Sequence, residues 1–484
     1  MSVSILHPRS DRPAGRSSGP ALMPAVLARL EAARPAKTQV RVWRRFELLC
    51  MGLMLAMGRH TLAQMLVALG VTGKGWSSWY QLLNQGRITL ERLNEQLLAD
   101  GVALREKGEP VVLVVDSTQV PRSSKRFPGV GRGRQPRTPV WQPGSHLMQR
   151  WCGISLLVAD RARGVSRAIP VWWGLARSEK SAPMGETPVR SEVATVLAGI
   201  DWVWQQLPAE AQRRPVLVLG DGAYGNARML NGLPAGVALL ARVARTRRLW
   251  NLPVPREGVG RPCRYGEQGP LAEERRHQTG VRWQRIRIMV RGVWRESSVD
   301  VSGPWLLKGA PEHPVLLLSV RGKPATVGHR REVRGDLLLV SAVQDASGVW
   351  TLPLPVDQLL GWYWQRWEVE VMHRELKTTF GLGDQQAWSQ TAAALTQPWV
   401  VAVYATLLLV GCQQWGLGVG PVPAQTGWHR PVRFSFATLW QAYRQEVWTR
   451  ADFQPTWARS PDPWGKMTAW IDTIWSASLG IRHI

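Results

Sequence analysis

From Val42 to about Arg105 apolar residues recur at helical spacing, and after Gly108 they give way to unbroken apolar runs. The first stretch predicts two helices, one from Arg44 through Met57 and one over Thr61–Leu69, parted near Gly58, with a third over Ser77–Leu83 after Gly75. Val111–Val115 has the continuous apolar character of a strand covered on both faces, and Asp116-Ser117-Thr118 ends it, placing Asp116 at the strand's carboxyl end. Strands over Trp151–Ala159 and Val165–Gly174 follow. A helix is predicted from about Pro188 to Leu207, capped near Thr187, and then a second apolar strand, Val216–Gly220, delivers Asp221. A short helix from about Asn226 and a strand over Val237–Val243 complete a series that fits a mixed sheet flanked by helices.

Short alternating runs then appear at Val281–Val290, Val315–Val320 and Leu337–Val340, among turns and arginines. They predict an inserted β-rich module, because a structureless loop of that length is rare inside a compact domain. Helical spacing returns before Tyr363, and Pro398–Cys412 is apolar but short of the ~20 residues that span a bilayer, so it reads as a buried core helix. The chain divides into a basic disordered arm (1–38), a helical DNA-binding region (39–107), the first part of an α/β core (108–244), a β-rich insertion (245–352), the second part of the core (353–412) and a helical tail (413–484). A Gly/Pro-rich linker, Gly416–Gly427, opens the tail.

Charge narrows the function. Lys and Arg number 61 against 35 Asp and Glu, a net +26, which favours a polyanionic partner through counterion release. Nucleic acid leads, since no basic amphipathic anchor or lipidation motif points to a membrane. The four cysteines, Cys50, Cys152, Cys263 and Cys412, form neither a disulfide framework nor a zinc pair, and with no signal-peptide core the expected location is the cytoplasm. Trp is abundant at 27 residues, open to core packing and to stacking on bases.

The segment Tyr363–Lys377 reads Y-x2-R-x3-E-x6-K. On one continuous helix, Tyr363, Arg366, Glu370 and Lys377 share a face, whereas Glu368 and Glu375 point away from it by about 160° and 140°. Taken alone, the stripe is equally an exposed charged helix face or a metal-binding acid set among phosphate contacts. With Asp116 and Asp221 at strand ends, Glu370 completes three carboxylates able to converge on one cleft, a hard oxygen set suited to Mg2+ or Mn2+. Between Pro121 and Val140 lie Arg122, Lys125, Arg126, Arg132, Arg134 and Arg137 without an acid, a flexible basic loop suited to gripping DNA or simply to solvent. His373, near the Glu370 face, could reach DNA or pack.

The order Asp116, Asp221, then the Y-x2-R-x3-E-x6-K helix behind a β-rich insertion, resembles the IS4-type DDE transposases across roughly Arg41–Leu409. Gly220-Asp221-Gly222-Ala223-Tyr224-Gly225 is similar to that family's second-aspartate region and Asp116-Ser117-Thr118 to its first. The resemblance implies an α/β, ribonuclease H-like mixed sheet with helices on both faces, interrupted by the insertion, with helical N- and C-terminal regions. It implies two Mg2+ ions (Mn2+ substituting) on Asp116, Asp221 and Glu370, and DNA phosphates on Tyr363, Arg366 and Lys377. Arg122, Lys125 and Arg126 join them as expected DNA contacts. The implied activity is nicking at the ends of a mobile element and strand transfer by the freed 3′-OH, by a homodimer acting near a bacterial nucleoid. A Trp of the insertion would stack on a flipped base, with Trp283, Trp294, Trp305 and Trp350 as candidates and Trp350 weakly favoured. A nuclease that cuts without joining and an inactive DNA-binding derivative remain alternatives.

Overall fold

The computed structural model describes residues 21–449, apart from 72–74, 136–137, 139–141, 143, 178–189, 255–261, 322–334, 419, 421–422, 423–432. Five helices come first: α1 (Leu22–Ala32), α2 (Val40–Leu55), α3 (Leu62–Ala68), α4 (Ser77–Asn84) and α5 (Glu91–Ala103). Then follow β1 (Val111–Pro121), β2 (Gly131–Arg134), β3 (Ser145–Asp160), β4 (Val165–Ala176), α6 (Glu192–Gln206), α7 (Ala209–Gln212), β5 (Val216–Gly220), α8 (Ala227–Gly232) and β6 (Val237–Arg242). The next stretch holds β7 (Arg248–Trp250), β8 (Gln268–Leu271), α9 (Ala272–Arg275), β9 (Gln284–Val290), β10 (Val293–Leu307), β11 (Ala310–Val320), β12 (Leu337–Ser341), β13 (Val343–Gln344) and β14 (Trp350–Thr351). Four helices close the described chain: α10 (Val356–Gln365), α11 (Glu368–Thr378), α12 (Gln390–Trp415) and α13 (Phe436–Thr449).

Strand β3 pairs antiparallel with both β4 and β1, and β1, β5 and β6 are parallel. The order β4-β3-β1-β5-β6 with those directions is a ribonuclease H-like α/β core. The central strands are apolar on both faces, with Val111–Val115 and Val216–Gly220 buried throughout, as a covered parallel pair requires. Serine and asparagine caps start the helices that follow: Ser191 Oγ accepts from the Ala194 amide ahead of α6, and Asn226 Oδ1 from Met229 ahead of α8. The helix expected from Pro188 thus begins at Glu192; Thr187, its expected cap, lies outside the described residues.

Four expectations are corrected. The segment 1–38 is not all arm: Leu22, Val26 and Leu30, at helical spacing, bury one stripe of α1, and Glu446 of α13 accepts from the amides of Leu22 and Met23 at 2.5 and 3.1 Å. Open amides at a helix start attract a carboxylate, and a partner more than 400 residues away is invisible to local pattern. The insertion is not a separate module. Its strand β12 pairs antiparallel with β6, so that β12, β11, β10, β7 and β8 extend the core sheet. Part of the basic loop is strand, since β2 pairs with β3. Tyr363–Lys377 is two helices broken at Arg366–Trp367, not one.

Helix α12 is long and apolar enough to cross a membrane by length and composition, yet it is mostly buried within this protein. Trp399, Val400, Tyr404 and Leu408 on it are buried in one core with Trp43 and Phe46 of α2 and Phe436 and Tyr443 of α13. The N-terminal helices are therefore packed with the C-terminal ones around α12. On α2, half-buried Glu47 has its carboxyl pushed up to about 7, by burial first and by the Glu31 carboxylate second. A raised acid pKa stabilises the folded state least where the acid must ionise: the penalty is absent below the unfolded value, grows from about 4.5 to 7 and is complete above it. Glu47→Gln should therefore raise the melting temperature at pH 8 and leave it unchanged near pH 4. An equal change at both pH values would refute this origin.

Candidate active site

Asp116 lies inside β1 and not at its end. The parallel pairing with β5 stops at Val114, but pairing with β3 carries β1 on to Pro121, with Asp116 opposite Gly153. Asp221 directly follows β5, the strand beside β1, so the two aspartates emerge on neighbouring strands. Its Oδ1 accepts from the Ala223 amide at 2.8 Å, which shapes the turn after the strand. That turn is held by Tyr224, fully buried, whose hydroxyl donates to Glu192 Oε1 at 3.0 Å, while Arg150 pairs with Glu192 Oε2 at 2.8 Å. Burial, then the Glu192 carboxylate, pushes the Tyr224 phenol far up, so it remains a donor. Gly225 passes so close to the Arg242 carbonyl that a Cβ would collide with backbone, which makes glycine necessary there. Glu192 carried no signal in the sequence, because no motif links it to the Asp221 turn.

The third carboxylate comes from α11. Arg366, at the break between α10 and α11, pairs through Nη2 with Glu370 Oε1 at 2.9 Å. Burial pushes Asp116 up to about 7; the Ser117 amide opposes this, the charge of Asp221 adds to it, Arg366 opposes it, and Glu370 adds to it. Asp116, Asp221, Glu370 and Arg366 thus share one electrostatic neighbourhood. Burial also works against the Arg366 charge, but Tyr363, Glu370 and Asp116 outweigh it and hold the guanidinium above its ordinary value.

His373, one turn beyond Glu370, brings Nδ1 to 3.5 Å from Asp116 Oδ2 and sets its ring edge-on to Trp173. Burial, aided by Lys377, drives the imidazole down to about 3. It is neutral at pH 7, so this approach is a polar contact and not an ion pair. The expected reach of His373 to DNA gives way to a place behind Asp116.

The remaining expected contacts divide. Lys377, Lys125 and Arg126 are exposed. Tyr363 is buried with its hydroxyl enclosed, so the expected contact with DNA does not lie on the surface. Arg122 is a structural residue in this conformation: its Nε donates to Gln149 Oε1 at 2.9 Å, its Nη1 to the carbonyls of Gly383 and Gln385 at 2.9 and 3.1 Å, and its guanidinium lies over Phe127. Those partners come from β3 and from the segment before α12, so sequence proximity to Lys125 misled. Arg132 and Arg134 lie exposed on β2, and Arg137 is outside the described residues. Of the four tryptophans, Trp294 is exposed beside Arg287, while Trp283, Trp305 and Trp350 are half-buried. A cavity of about 520 Å3 between α3, α4 and the start of α12, lined by Tyr80, Leu83, Trp388 and Trp399, holds none of the three carboxylates.

Among the described residues no three His, Cys, Asp or Glu side chains close into a ready metal cage. The chemistry of the set still fits a divalent cation. It is all carboxylate, Asp116 is pushed up to about 7 by burial first and by the charges of Asp221 and Glu370 after it, and a cation already sits on Glu370 in the form of Arg366.

The sequence model of the DDE superfamily endonucleases matches residues 34–300, over half of the chain and including Asp116 and Asp221 but ending before Glu370. Among solved structures, the cryo-EM structure of a piggyBac transposase synaptic complex with hairpin DNA is similar at 10% identity and a TM-score of 0.37, over 95% of this chain and 82% of that one. No curated protein matches.

Proposed function

The chain belongs to the DDE superfamily endonucleases, and from that premise we propose that it is an IS4-type DNA transposase that cuts at the ends of a mobile element and joins the freed 3′-OH to target DNA. The observation that carries this reading is the shared field of Asp116, Asp221 and Glu370, brought together by two adjacent parallel strands and α11. In the proposal those three carboxylates would hold two Mg2+ ions, with Mn2+ able to substitute, beside the Arg366 guanidinium that pairs with Glu370. The ions when bound activate the attacking oxygen and stabilise the leaving one. Asp116 and Glu370 orient the cation set, Arg366 and Lys377 take phosphate oxygens, and His373 holds Asp116 from behind without carrying a charge. The working form is a homodimer holding two element ends, in the cytoplasm near the nucleoid.

The test supplies pre-cut element ends, supercoiled plasmid and Mg2+. Joined products support transposition, whereas cutting without joining assigns the chain to a nuclease of the same family. Binding without either reaction assigns it to an inactive derivative.

The exposed cations carry a separate expectation. Lys125→Ala, Arg126→Ala and Lys377→Ala should each weaken DNA binding at every sequence alike, and each should lower the slope of log affinity against log salt by about 0.9 if its contact is to a phosphate of duplex DNA. Arg122→Ala should instead lower the melting temperature, since it leaves Gln149 Oε1 and the carbonyls of Gly383 and Gln385 without the half-buried donor they share. Filter binding from 50 to 300 mM salt (about a sixfold range) separates the two behaviours.

A further inference from the structure

Helix α11 carries two pairs of charged residues seven apart. Glu370 and Lys377 form the pair on the side of Asp116, and Glu368 and Glu375 form a second pair on the opposite side, since seven residues return a helix to nearly the same face. The rear pair is engaged. Glu368 is 5% exposed and meets Arg433 Nη1 at 2.5 Å through Oε2 and Arg291 Nη2 at 3.5 Å through Oε1. Glu375 Oε2 accepts from the hydroxyl of buried Tyr404 on α12 at 2.6 Å.

The two arginines belong to different parts of the chain. Arg433 precedes α13 and also donates to the Ser166 carbonyl on β4 at 2.6 Å. Arg291 sits in the turn between β9 and β10 at φ 52°, and the amides of Arg291 and Gly292 donate to Gly164 and Arg163 at the β3–β4 turn, at 2.6 and 2.9 Å. Insertion hairpin and C-terminal segment therefore meet on one carboxylate at the first residue of α11, and the residues that reach it are themselves bonded to the core β3–β4 hairpin. The backbone is interrupted just before it, at Arg366–Trp367, so α10 alone does not dictate how α11 is rotated about its axis.

We infer that Glu368 is a positioning residue for Glu370: a buried ionic post, gripped by Arg433 and Arg291, that sets the rotation of α11 and thereby the aim of the Glu370 carboxylate toward Asp116 and Asp221. The inference rests on the reading of Glu370 as a metal ligand. Glu375 and Tyr404 are the second fixed point two turns on, and a helix held at two points on one side cannot roll. The same geometry that turns Glu368 and Glu375 away from the Glu370 face lets them anchor the helix.

The test follows the melting temperature of the full chain against Mg2+ concentration, with DNA affinity in the absence of metal as a second readout. Glu368→Gln should raise the Mg2+ concentration at half-effect tenfold or more, and Arg291→Gln severalfold, with DNA affinity within twofold of wild type. Glu368→Asp should recover part of the loss. Should Glu368→Gln alone fail to fold because Arg433 is stranded, Glu368→Gln/Arg433→Gln removes the unpaired cation and should fold while keeping the raised Mg2+ requirement. A wild-type Mg2+ response in both Arg291→Gln and the double variant overturns the positioning role. A wild-type protein whose melting temperature ignores Mg2+, or responds equally with Glu370→Gln, overturns the metal reading itself and this inference with it.

Discussion

Glu370→Gln and Asp116→Asn are each expected to lower DNA cleavage by roughly a thousandfold or more, while DNA binding without metal stays near that of the parent protein. Both substitutions keep side-chain volume and remove a negative oxygen, so the loss would report on charge. Their effects on the metal-free fold should differ in an informative way. Asp116 is a half-buried carboxyl raised from 3.8 to about 7, so its ionisation costs the folded state stability that builds from about pH 3.8 to 7 and is complete above. Asp116→Asn should therefore raise the metal-free melting temperature at pH 8, by the equivalent of a few kcal/mol at most, and do little at pH 4. Glu370 is paired with Arg366, and Glu370→Gln should not stabilise. Because a cation must displace the proton of Asp116, Mg2+ affinity should climb with pH up to about 7 and level off above. Cleavage surviving either substitution, measured on a labelled element end, would remove that residue from the site. An active site that destabilises its own fold is the ordinary trade between stability and chemistry.

Trp399→Ala should destabilise the fold by about 3–5 kcal/mol. Its ring is fully buried on α12 against Phe46 of α2, with centroids 6.4 Å apart, and its indole N–H points to Cys50 Sγ at 3.3 Å. Since α12 lies between the N-terminal helices and the core, the loss should spread: denaturant melts followed by far-UV circular dichroism should show an earlier transition for the whole molecule. A variant that lost only α1–α4 and kept the sheet's transition would show that the helices and the core are energetically separate. Trp399→Phe, which retains most of the buried area, should cost markedly less.

Much of the core was legible because its signals are local. Val111–Val115 and Val216–Gly220 are uninterrupted apolar runs because both faces of those strands are covered, and a residue's nature is enough to show it. Gly225, beside Asp221, is legible as a special position, though the Arg242 carbonyl that demands it is not. The break at Arg366–Trp367 left no mark, because Y-W-Q-R-W-E-V-E carries neither proline nor glycine and its helical spacing runs straight through. Arg122 and Arg126 look alike in sequence, yet one is bonded to Gln149, Gly383 and Gln385 and the other is exposed, a difference made by segments as many as 263 residues away.

By itself, then, the sequence determined the periodic elements of the α/β core and the positions of Asp116, Asp221 and Glu370 along it, since side-chain period and residue type are properties of a few neighbouring residues. Tertiary structure alone decided which charges feel one another: that the Asp116 carboxyl is pushed up to about 7, that His373 stands behind it uncharged, that Arg366 occupies Glu370, and that Glu368 faces Arg433 and Arg291. Burial and ionic partnership depend on what the rest of the chain brings to a point in space, and no local pattern encodes that.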